Sequence, residues 1–321
     1  MSRRVALTGA TGFIGRHLSA HLAARGFEVI AVVRPESRHA APEGAAVVRA
    51  PLAAAALREA FRGSGTVVHL AGLVQALDSG EYTAVNVEGT RAVADATLAV
   101  GARLVHVSSL AAAGPASATA PRAEDDPPNP LTPYGKSKLA SEQIVTRMPG
   151  LAWTILRPGA VYGPGDRALL PLFRMASRGM LPLVGRPDAA YTFVHVSDVV
   201  QAIDAAIGAR APGGVCFVGH PKPVTAREIL EGICMAVGRP ARLIRVPDAL
   251  AAVAAAACDI TGRVRGRPLP LNRWRYFELS AEGFVCRVDR LRERLGVVAA
   301  IELAAGLQQT AEWYRREGWL K

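Results

Sequence analysis

The sequence predicts an α/β fold in which helices cover both faces of a doubly wound parallel sheet. Short apolar runs alternate with segments of helical periodicity over most of the 321 residues. These runs are continuously apolar, as expected for strands that are buried on both faces. A glycine-rich turn at residues 8–15 joins the first run to the first helical segment. Beyond about His220, helical patterns with proline breaks predict a smaller, mostly helical C-terminal region.

The turn at residues 8–15 has the composition of a nucleotide-binding turn. Glycine lets the backbone turn tightly and leaves room for a ligand, while the N–H groups and the dipole of the following helix favour a pyrophosphate. Its spacing is G-x-x-G-x-x-G, not the more familiar G-x-G-x-x-G, and a glycine-rich turn without a ligand is the alternative. The residues expected to contact the cofactor here are Gly9, Thr11, Gly12, Phe13, Ile14 and Gly15.

Composition indicates a globular, basic protein. Half of the residues are apolar and a fifth are charged, with a formal net charge of +11. Such a charge suits nucleic acid, an anionic membrane or an anionic substrate. Many of the late arginines alternate with acids such as Asp289 and Glu293, and the chain carries no nucleic-acid motif. We therefore expect a solvated, partly ion-paired surface and no nucleic-acid partner.

No apolar run reaches the ~20 residues of a membrane span. The nearest, at residues 249–258, is rich in alanine, and we expect a buried helix there. The chain leads directly into its first strand, so we expect no signal peptide and a cytoplasmic location. The four cysteines form no Cys-x-x-Cys pair, so neither a metal site nor a disulfide is expected.

The second predicted strand, residues 29–33, ends in Arg34. In a dinucleotide fold, a residue about 20 positions beyond the glycine turn contacts the adenosine ribose. An acid there would accept from the 2′-hydroxyl of NAD, whereas the guanidinium of Arg34 suits the 2′-phosphate of NADP, with Arg38 close enough to assist. NADP is the expected cofactor and NAD the alternative. A loop arginine without a ligand is the other interpretation.

The remaining elements follow the same alternation. His69 lies inside an apolar run and is expected to be a satisfied core histidine. Pro115 and Pro133 bound a loop rich in proline. The further predicted strands are residues 46–49, 66–72, 103–107, 152–156 and 191–196, and the further helices are residues 52–61, 86–100, 134–147 and 199–207, the last capped by Ser197 or Asp198.

Tyr134 and Lys138 are spaced to share one face of a helix. A free tyrosine is a poor base at neutral pH, but a nearby ammonium lowers its pKa and makes it a usable acid or base. Ser109 follows the strand at residues 103–107 and could bind the same substrate oxygen. The spacing alone is weak, but behind a nucleotide turn it indicates a redox site.

Together these segments resemble the extended short-chain dehydrogenases/reductases of the NAD-dependent epimerase/dehydratase superfamily, which implies a Rossmann-type fold. The resemblance runs nearly end to end. It implies that Tyr134 is the acid/base, that Lys138 assists it and holds the nicotinamide ribose, and that Ser109, chosen over Ser108, orients the substrate oxygen. Tyr134 and Lys138 are therefore expected to contact the cofactor as well. The resemblance further implies cofactor contacts at Leu70, Ala71, Gly72, Pro158 and Val161. The segments that carry the resemblance are residues 8–15, 69–72, 86–90, 107–109, 134–138, 157–165 and 193–199.

Two departures from the family pattern bear on substrate. Pro51-Leu52 replaces an Asp-Leu pair whose aspartate contacts adenine, and Gly159-Ala160 replaces an asparagine that holds sugar diphosphates. The first departure implies that the adenine contact is missing, and the second favours the branch that resembles dihydroflavonol reductases and 3β-hydroxysteroid dehydrogenases. We therefore expect an NADP-dependent oxidoreductase acting on a carbonyl or alcohol of a small, fairly apolar substrate.

Two alternatives remain open: a redox-neutral nucleotide-sugar epimerase or dehydratase with bound NAD, and a non-catalytic NADP-binding subunit or regulator. The resemblance implies a homodimer through the helix at 86–100 and the Tyr134 helix. We expect a nucleotide-binding domain over residues 1–165, which also recruits about 190–220. The substrate-binding region is expected over residues 166–190 and 221–321.

Overall fold

The computed structural model describes residues 3–40, 42–209 and 214–320. Its largest sheet has seven parallel strands in the order β11-β6-β5-β4-β1-β2-β3, which confirms the Rossmann-type doubly wound prediction. The strands are β1 Arg4–Thr8, β2 Glu28–Val33, β3 Ala45–Arg49, β4 Thr66–His69, β5 Arg103–Val107, β6 Trp153–Pro158, β7 Ala160–Tyr162, β8 Met180–Leu183, β9 Ala190–Tyr191, β10 Phe193–His195, β11 Val215–Val218, β12 Val224–Thr225, β13 Arg242–Arg245 and β14 Gly283–Phe284.

Helices cover both faces of the large sheet. A π-helical turn, Thr83–Glu88, joins the third and fourth helices, and a 3₁₀ turn, Leu110–Ala112, follows β5. The helices are α1 Phe13–Ala24, α2 Ala54–Phe61, α3 Ser79–Tyr82, α4 Gly89–Ala99, α5 Pro133–Arg147, α6 Leu170–Ala176, α7 Val196–Gly208, α8 Ala226–Val237, α9 Asp248–Val264, α10 Arg273–Ser280, α11 Asp289–Leu295 and α12 Leu303–Arg316.

Alternate residues of β1 enter two separate cores, because successive strand side chains point to opposite faces. Leu7 packs with residues of α1, α7 and α11. Ala6 packs on the other face with residues of α2, α4 and α5. A third core joins α6, α8 and α12 around Phe173 and Tyr314, whose rings meet edge to face. The domain boundaries expected from the sequence stay a prediction.

The strand predicted over 191–196 is two short strands. β9 pairs with β12 and β14, whereas β10 pairs with β7, and Thr192 separates them. The next helix therefore begins at Val196, and its N-cap is His195, whose Nδ1 accepts from the Ser197 N–H at 3.3 Å. The prediction of Ser197 or Asp198 as the cap is wrong. Asp198 instead accepts from backbone N–H groups that precede α12.

The buried helix expected at residues 249–258 is also wrong. α9 is longer, and its large apolar side chains face solvent, with Val253 exposed by 68% and Val264 by 84%.

Within the described ranges, no helix is long and apolar enough to cross a membrane. The four cysteines are free thiols, of which Cys216 and Cys286 are buried. The described residues contain no group of acids, histidines and cysteines that could hold a metal ion.

Candidate functional site

The glycine turn lies where β1 meets α1, beside the end of β4. Gly9 has φ +74°, a conformation that side chains disfavour, and a Cβ there would lie 2.6 Å from the Ala71 nitrogen. A Cβ at Gly15 would lie 2.3 Å from the Gly9 oxygen. Glycine is therefore required at both positions, because backbone atoms of the turn and of the segment after β4 pack closely there.

The first turn of α1 opens onto this surface. Gly12 is the N-cap, and no side chain of the described ranges caps the helix. The adjoining loop is held by Arg16, which donates to the oxygens of Thr11 and Ala40 at 3.1 and 3.2 Å. Ile14 packs against the core, while Phe13 meets the ring of His17 edge to face. The exposed N–H groups at this helix end suit a pyrophosphate.

Arg34 directly follows β2. Its side chain is exposed by 64%, and its Nε lies 3.7 Å from a carboxylate oxygen of Glu36, an exposed pair that holds it weakly. Arg49 fixes the neighbouring loop by donating to the oxygens of Pro35 and Ser37 at 3.0 and 3.3 Å. The Arg34 guanidinium is therefore available to an anionic ligand at the end of β2.

The segment after β4 lies against the same turn. Leu70 donates from its N–H to the Thr8 oxygen at 3.1 Å, and the Ala71 N–H lies 3.5 Å from Thr8 Oγ1. Gly72 is close to Asn86, because a Cβ there would be 3.1 Å from Asn86 Oδ1. The three residues predicted for the adenosine side thus form one wall of the turn.

Asn86 is a residue that sequence reasoning used only as part of a motif. Its Oδ1 accepts from the Leu73 N–H at 2.7 Å, and its Nδ2 donates to the Leu73 oxygen at 3.0 Å and to Ser137 Oγ at 2.9 Å. It therefore joins the loop after β4 to the helix that carries Tyr134. The signal available in the sequence is an amide side chain placed between two valines, Val85 and Val87.

A buried, hydrogen-bonded histidine lies beneath the turn, as predicted for His69 in its apolar run. Its Nδ1 lies 2.6 Å from Thr8 Oγ1 and its Nε2 lies 3.0 Å from Thr90 Oγ1. Because Thr90 donates its own proton to the Asn86 oxygen at 2.6 Å, it must accept from Nε2, so Thr8 donates to Nδ1. Burial lowers the pKa of His69 to about 3, and the ring is neutral.

Tyr134 and Lys138 both lie on α5, which begins after the N-cap Thr132 and carries a proline in its first turn. Lys138 is 95% buried by surface area, with 5% exposed, and its Nζ donates to the Val107 oxygen at 2.9 Å. Burial lowers the pKa of Lys138 to about 8, against an opposing effect of Glu142. The lysine thus fastens the tyrosine helix to the end of β5.

Ser109 lies two residues beyond that carbonyl and begins the 3₁₀ turn. Its Oγ accepts from the Ala111 N–H at 3.2 Å, and a hydrogen bond with Tyr134 contributes to the tyrosine's pKa. The neighbouring Ser108 is buried, and its Oγ has no hydrogen-bond partner among the described residues. The structure therefore brings Ser109, Tyr134 and Lys138 together at the carboxyl end of β5.

The pKa of Tyr134 moves opposite to the expectation from the sequence. Burial raises it to about 12, while the hydrogen bond with Ser109 lowers it and the charge of Glu278 raises it. The predicted lowering by an adjacent ammonium is wrong for this arrangement, because Lys138 is turned to the Val107 oxygen. At neutral pH the phenol holds its proton and is suited to donate it.

Side chains from distant parts of the chain lie above the phenol. The ring centroids of Tyr82 and Tyr134 are 6.1 Å apart. Glu278, on α10, is ion-paired to Arg275 at 3.2 Å and accepts from Thr132 Oγ1 at 3.4 Å. Its charge raises the pKa of both tyrosines. No local pattern indicated Glu278, which is 146 residues from Thr132 in sequence.

A buried ion pair supports the tyrosine helix from beneath. Arg157 on β6 donates to both carboxylate oxygens of Glu142 on α5, at 2.9 and 2.6 Å, and the two side chains are exposed by only 6% and 4%. Its guanidinium also lies 5.6 Å from the centre of the Phe217 ring. This bidentate pair fixes α5 relative to the sheet.

The segment after β6 carries the two residues expected at the nicotinamide. Pro158 ends β6, and Val161 lies on β7 and packs against the main core. Between them, a Cβ at Gly159 would be 2.1 Å from the Thr192 oxygen, to which Ala160 donates its N–H at 2.9 Å. No side chain fits at Gly159, whereas Ala160 beside it is exposed.

Residues 5–219 match the sequence model of the NAD dependent epimerase/dehydratase family. A ceramide reductase of Caulobacter vibrioides is 33% identical, over 98% of this chain and 96% of that protein. A 2-alkyl-3-oxoalkanoate reductase of Stenotrophomonas maltophilia is 30% identical, over 95% and 98%. Among solved structures, MoeE5 in complex with UDP-glucuronic acid and NAD has a TM-score of 0.79 and 27% identity, covering 98% of this chain and 99% of its own.

Proposed function

The chain belongs to the NAD-dependent epimerase/dehydratase family, and from that membership we propose an NADP-dependent reductase of a small, fairly apolar ketone. Its relatives include reductases and nucleotide-sugar epimerases, so the family supports an enzyme of the oxidoreductase superfamily. The observation that most supports the finer proposal is the convergence of Ser109, Tyr134 and Lys138 at the end of β5, beside the glycine turn.

The residues of the turn fit a dinucleotide. Gly9 and Gly15 let the backbone of the turn pack tightly, and the first turn of α1, which has no side-chain cap, would offer its N–H groups to phosphates. Arg34 would hold the 2′-phosphate, and Pro158 and Val161 would lie along the nicotinamide. When bound, the cofactor supplies a hydride to the substrate carbonyl carbon, or accepts one in the reverse direction.

Side chains of the protein bind and protonate the substrate's carbonyl oxygen. Ser109 binds the carbonyl oxygen, and Tyr134 gives that oxygen its proton, so hydride and proton together convert the ketone to an alcohol. The pKa of about 12 keeps the phenol protonated at neutral pH, which favours the direction of reduction. Lys138, fastened to the Val107 oxygen, holds α5 and places its positive charge beneath the site.

Replacing Tyr134 by Phe tests the assignment of the acid. NADPH oxidation would be followed with a panel of apolar ketones that includes 2-alkyl-3-oxoalkanoates, which the name of one relative prints. We expect turnover to fall by about 10²–10⁴-fold with NADPH affinity unchanged. Tyr82→Phe is the matched control, since its hydroxyl donates to the Val74 oxygen at 3.1 Å. Undiminished turnover in Tyr134→Phe would refute the mechanism.

Cofactor preference has its own test. Wild type and Arg34→Ala would be titrated with NADPH and NADH, with the exposed Arg58→Ala as control. Loss of a charge-assisted contact of about 1.5–3 kcal/mol should weaken NADPH about 10- to 100-fold and leave NADH unchanged. A wild-type preference for NADH would overturn the role of Arg34.

A redox-neutral sugar-nucleotide reaction is the second candidate. It is favoured by the fold likeness to MoeE5, which was solved with UDP-glucuronic acid and NAD, and by a UDP-glucose 4-epimerase of Streptomyces lividans that is 28% identical. The carboxylate of Glu278 near Tyr134 and the lack of side-chain space at Gly159 argue for a different substrate. Purified protein carrying NAD that converts UDP-sugars without net cofactor consumption would establish it.

We also propose a homodimer formed through α4 and α5, as the family resemblance implies. Sedimentation velocity would give about twice the chain mass of 33.8 kDa. A single species at the chain mass would refute this arrangement.

A further inference from the structure

α9 presents an apolar surface to solvent. Its exposed large side chains are Leu250, Val253, Ile260 and Val264, at 62%, 68%, 66% and 84%. At about 100° per residue these four lie within about 80° of the helix circumference. They form the face opposite its buried residues, which are Ala251, Ala255 and Gly262. We call these four residues the α9 stripe.

Positive charge follows the stripe directly. Arg263, Arg265 and Arg267 are exposed at the C-terminal end of α9, and Arg245 is exposed just before its start. None of the four has an acidic partner in the part of the chain that the structure describes. By contrast, Arg273 and Arg275 are engaged by Asp259 and Glu278. The four arginines without an acidic partner among the described residues therefore lie at the two ends of α9.

The middle of α9 has no charged side chain that would favour its exposure to water. The alanine-rich residues 249–258 carry no charge, and the helix contacts its neighbour α10. The two helices are joined where Tyr276 donates to the Asp248 oxygen at 3.3 Å and Arg273 pairs with Asp259 at 3.3 Å. An apolar face flanked by cations is the pattern of a helix that lies in the plane of a membrane interface.

We propose that the α9 stripe docks on the surface of an anionic phospholipid bilayer. The apolar side chains enter the boundary between headgroups and acyl chains, and the arginines at the helix ends pair with lipid phosphates. Charge complementarity favours an anionic bilayer as the partner, because arginines without an acidic partner among the described residues lie at both ends of the stripe. The docked helix is joined to α10, whose Glu278 reaches Thr132 at the start of the tyrosine helix.

Docking does not depend on the proposed reaction, and its test uses no substrate. Full-length protein would be sedimented with vesicles of pure phosphatidylcholine and with vesicles of equal parts phosphatidylcholine and phosphatidylglycerol. We expect binding to the anionic vesicles, much weaker binding to the neutral ones, and release by salt.

Two variants separate the apolar from the charged contribution. Val253→Asp with Ile260→Asp should weaken binding to anionic vesicles about tenfold or more, and so should replacing Arg263, Arg265 and Arg267 by Gln. Met235→Asp is the control for the first, since Met235 is 70% exposed on α8. The control for the second replaces three exposed arginines elsewhere by Gln, namely Arg58, Arg147 and Arg239. Thermal unfolding would verify that each variant is folded.

Three results would overturn the proposal. Wild type that leaves anionic vesicles unbound would exclude docking. Equal binding to neutral and anionic vesicles would exclude the role of the arginines. A mass in solution that falls when Val253 and Ile260 are replaced by Asp, without vesicle binding by wild type, would assign the stripe to a second copy of the chain.

Discussion

Replacing Lys138 by Met should abolish turnover and, at neutral pH, raise the free energy of unfolding. The lysine is buried and its pKa is lowered to about 8 from 10.5, so the folded protein holds its charged form at a cost. At about 1.36 kcal/mol per pKa unit, that cost is about 3 kcal/mol. The bond from Nζ to the Val107 oxygen is lost in the variant, which leaves a carbonyl unsatisfied and offsets about 1–3 kcal/mol of the gain.

The pH dependence of the stability difference between wild type and Lys138→Met is a clearer test than the size of that difference at one pH. Below pH 8 the lysine is protonated in both states, and the full cost of burying the charge applies. As pH rises from about 8 to 10.5, the unfolded chain holds the proton that the folded protein has released, so wild type becomes more stable. The stability of wild type relative to Lys138→Met should therefore increase by about 3 kcal/mol over this interval.

Urea unfolding of both proteins, freed of nucleotide, would measure this difference at several pH values. Lys136→Met is the matched control, because Lys136 is exposed on the same helix. A difference for Lys138→Met that does not change between pH 8 and 10.5 would refute the claim that the buried ammonium is held at a cost. Turnover retained by Lys138→Met would refute its role in the site.

Two further substitutions test how the site is held. Gly9→Ala should lower the free energy of unfolding by more than about 2 kcal/mol and weaken NADPH binding, since φ is +74° and the new Cβ meets backbone. The control Gly101→Ala, with φ +68° and open space, should lower it by about 1–2 kcal/mol and leave NADPH binding intact. Equal effects of the two substitutions in urea unfolding and NADPH titration would contradict this. Glu142→Gln should cost about 3–5 kcal/mol by leaving Arg157 buried without its partner, and Arg157→Met added to it should restore much of the loss in thermal unfolding.

Local patterns were sufficient for six of the seven strands of the large sheet and for the glycine turn, but not for the edge strand β11. The strands are continuous apolar runs, and the glycine spacing places a turn between β1 and α1 whatever surrounds it. Helical spacing likewise put Tyr134 and Lys138 on one face of α5, close to Ser109 at the end of the neighbouring strand. These features depend on residues near one another in sequence.

Features that depend on tertiary packing could not be predicted in this way. The pKa of Tyr134 follows from burial and from Glu278, which a distant helix brings to the site. The N-cap of α7 is His195 because the preceding strand breaks at Thr192. The apolar composition of α9 predicted burial, but a helix with an apolar face needs a surface to cover it, and composition does not say whether that surface belongs to the same chain.

The hydrogen-bonded histidine beneath the glycine turn limits the acidity in which the protein can work. Protonation of His69 would occur at Nδ1, the atom that accepts the hydrogen bond from Thr8 Oγ1. It would therefore break the side-chain hydrogen bond between the end of β1 and β4. Because its folded pKa is about 3 and an unfolded histidine titrates near 6.5, the unfolded chain gains the proton first as pH falls. At pH 5 this one ring removes about 2 kcal/mol of stability. His106, stacked on it at 5.3 Å and also held neutral by burial, acts in the same direction, so acid should destabilise the fold around β4 and β5 before it affects Tyr134 or Lys138, which already hold their protons at neutral pH.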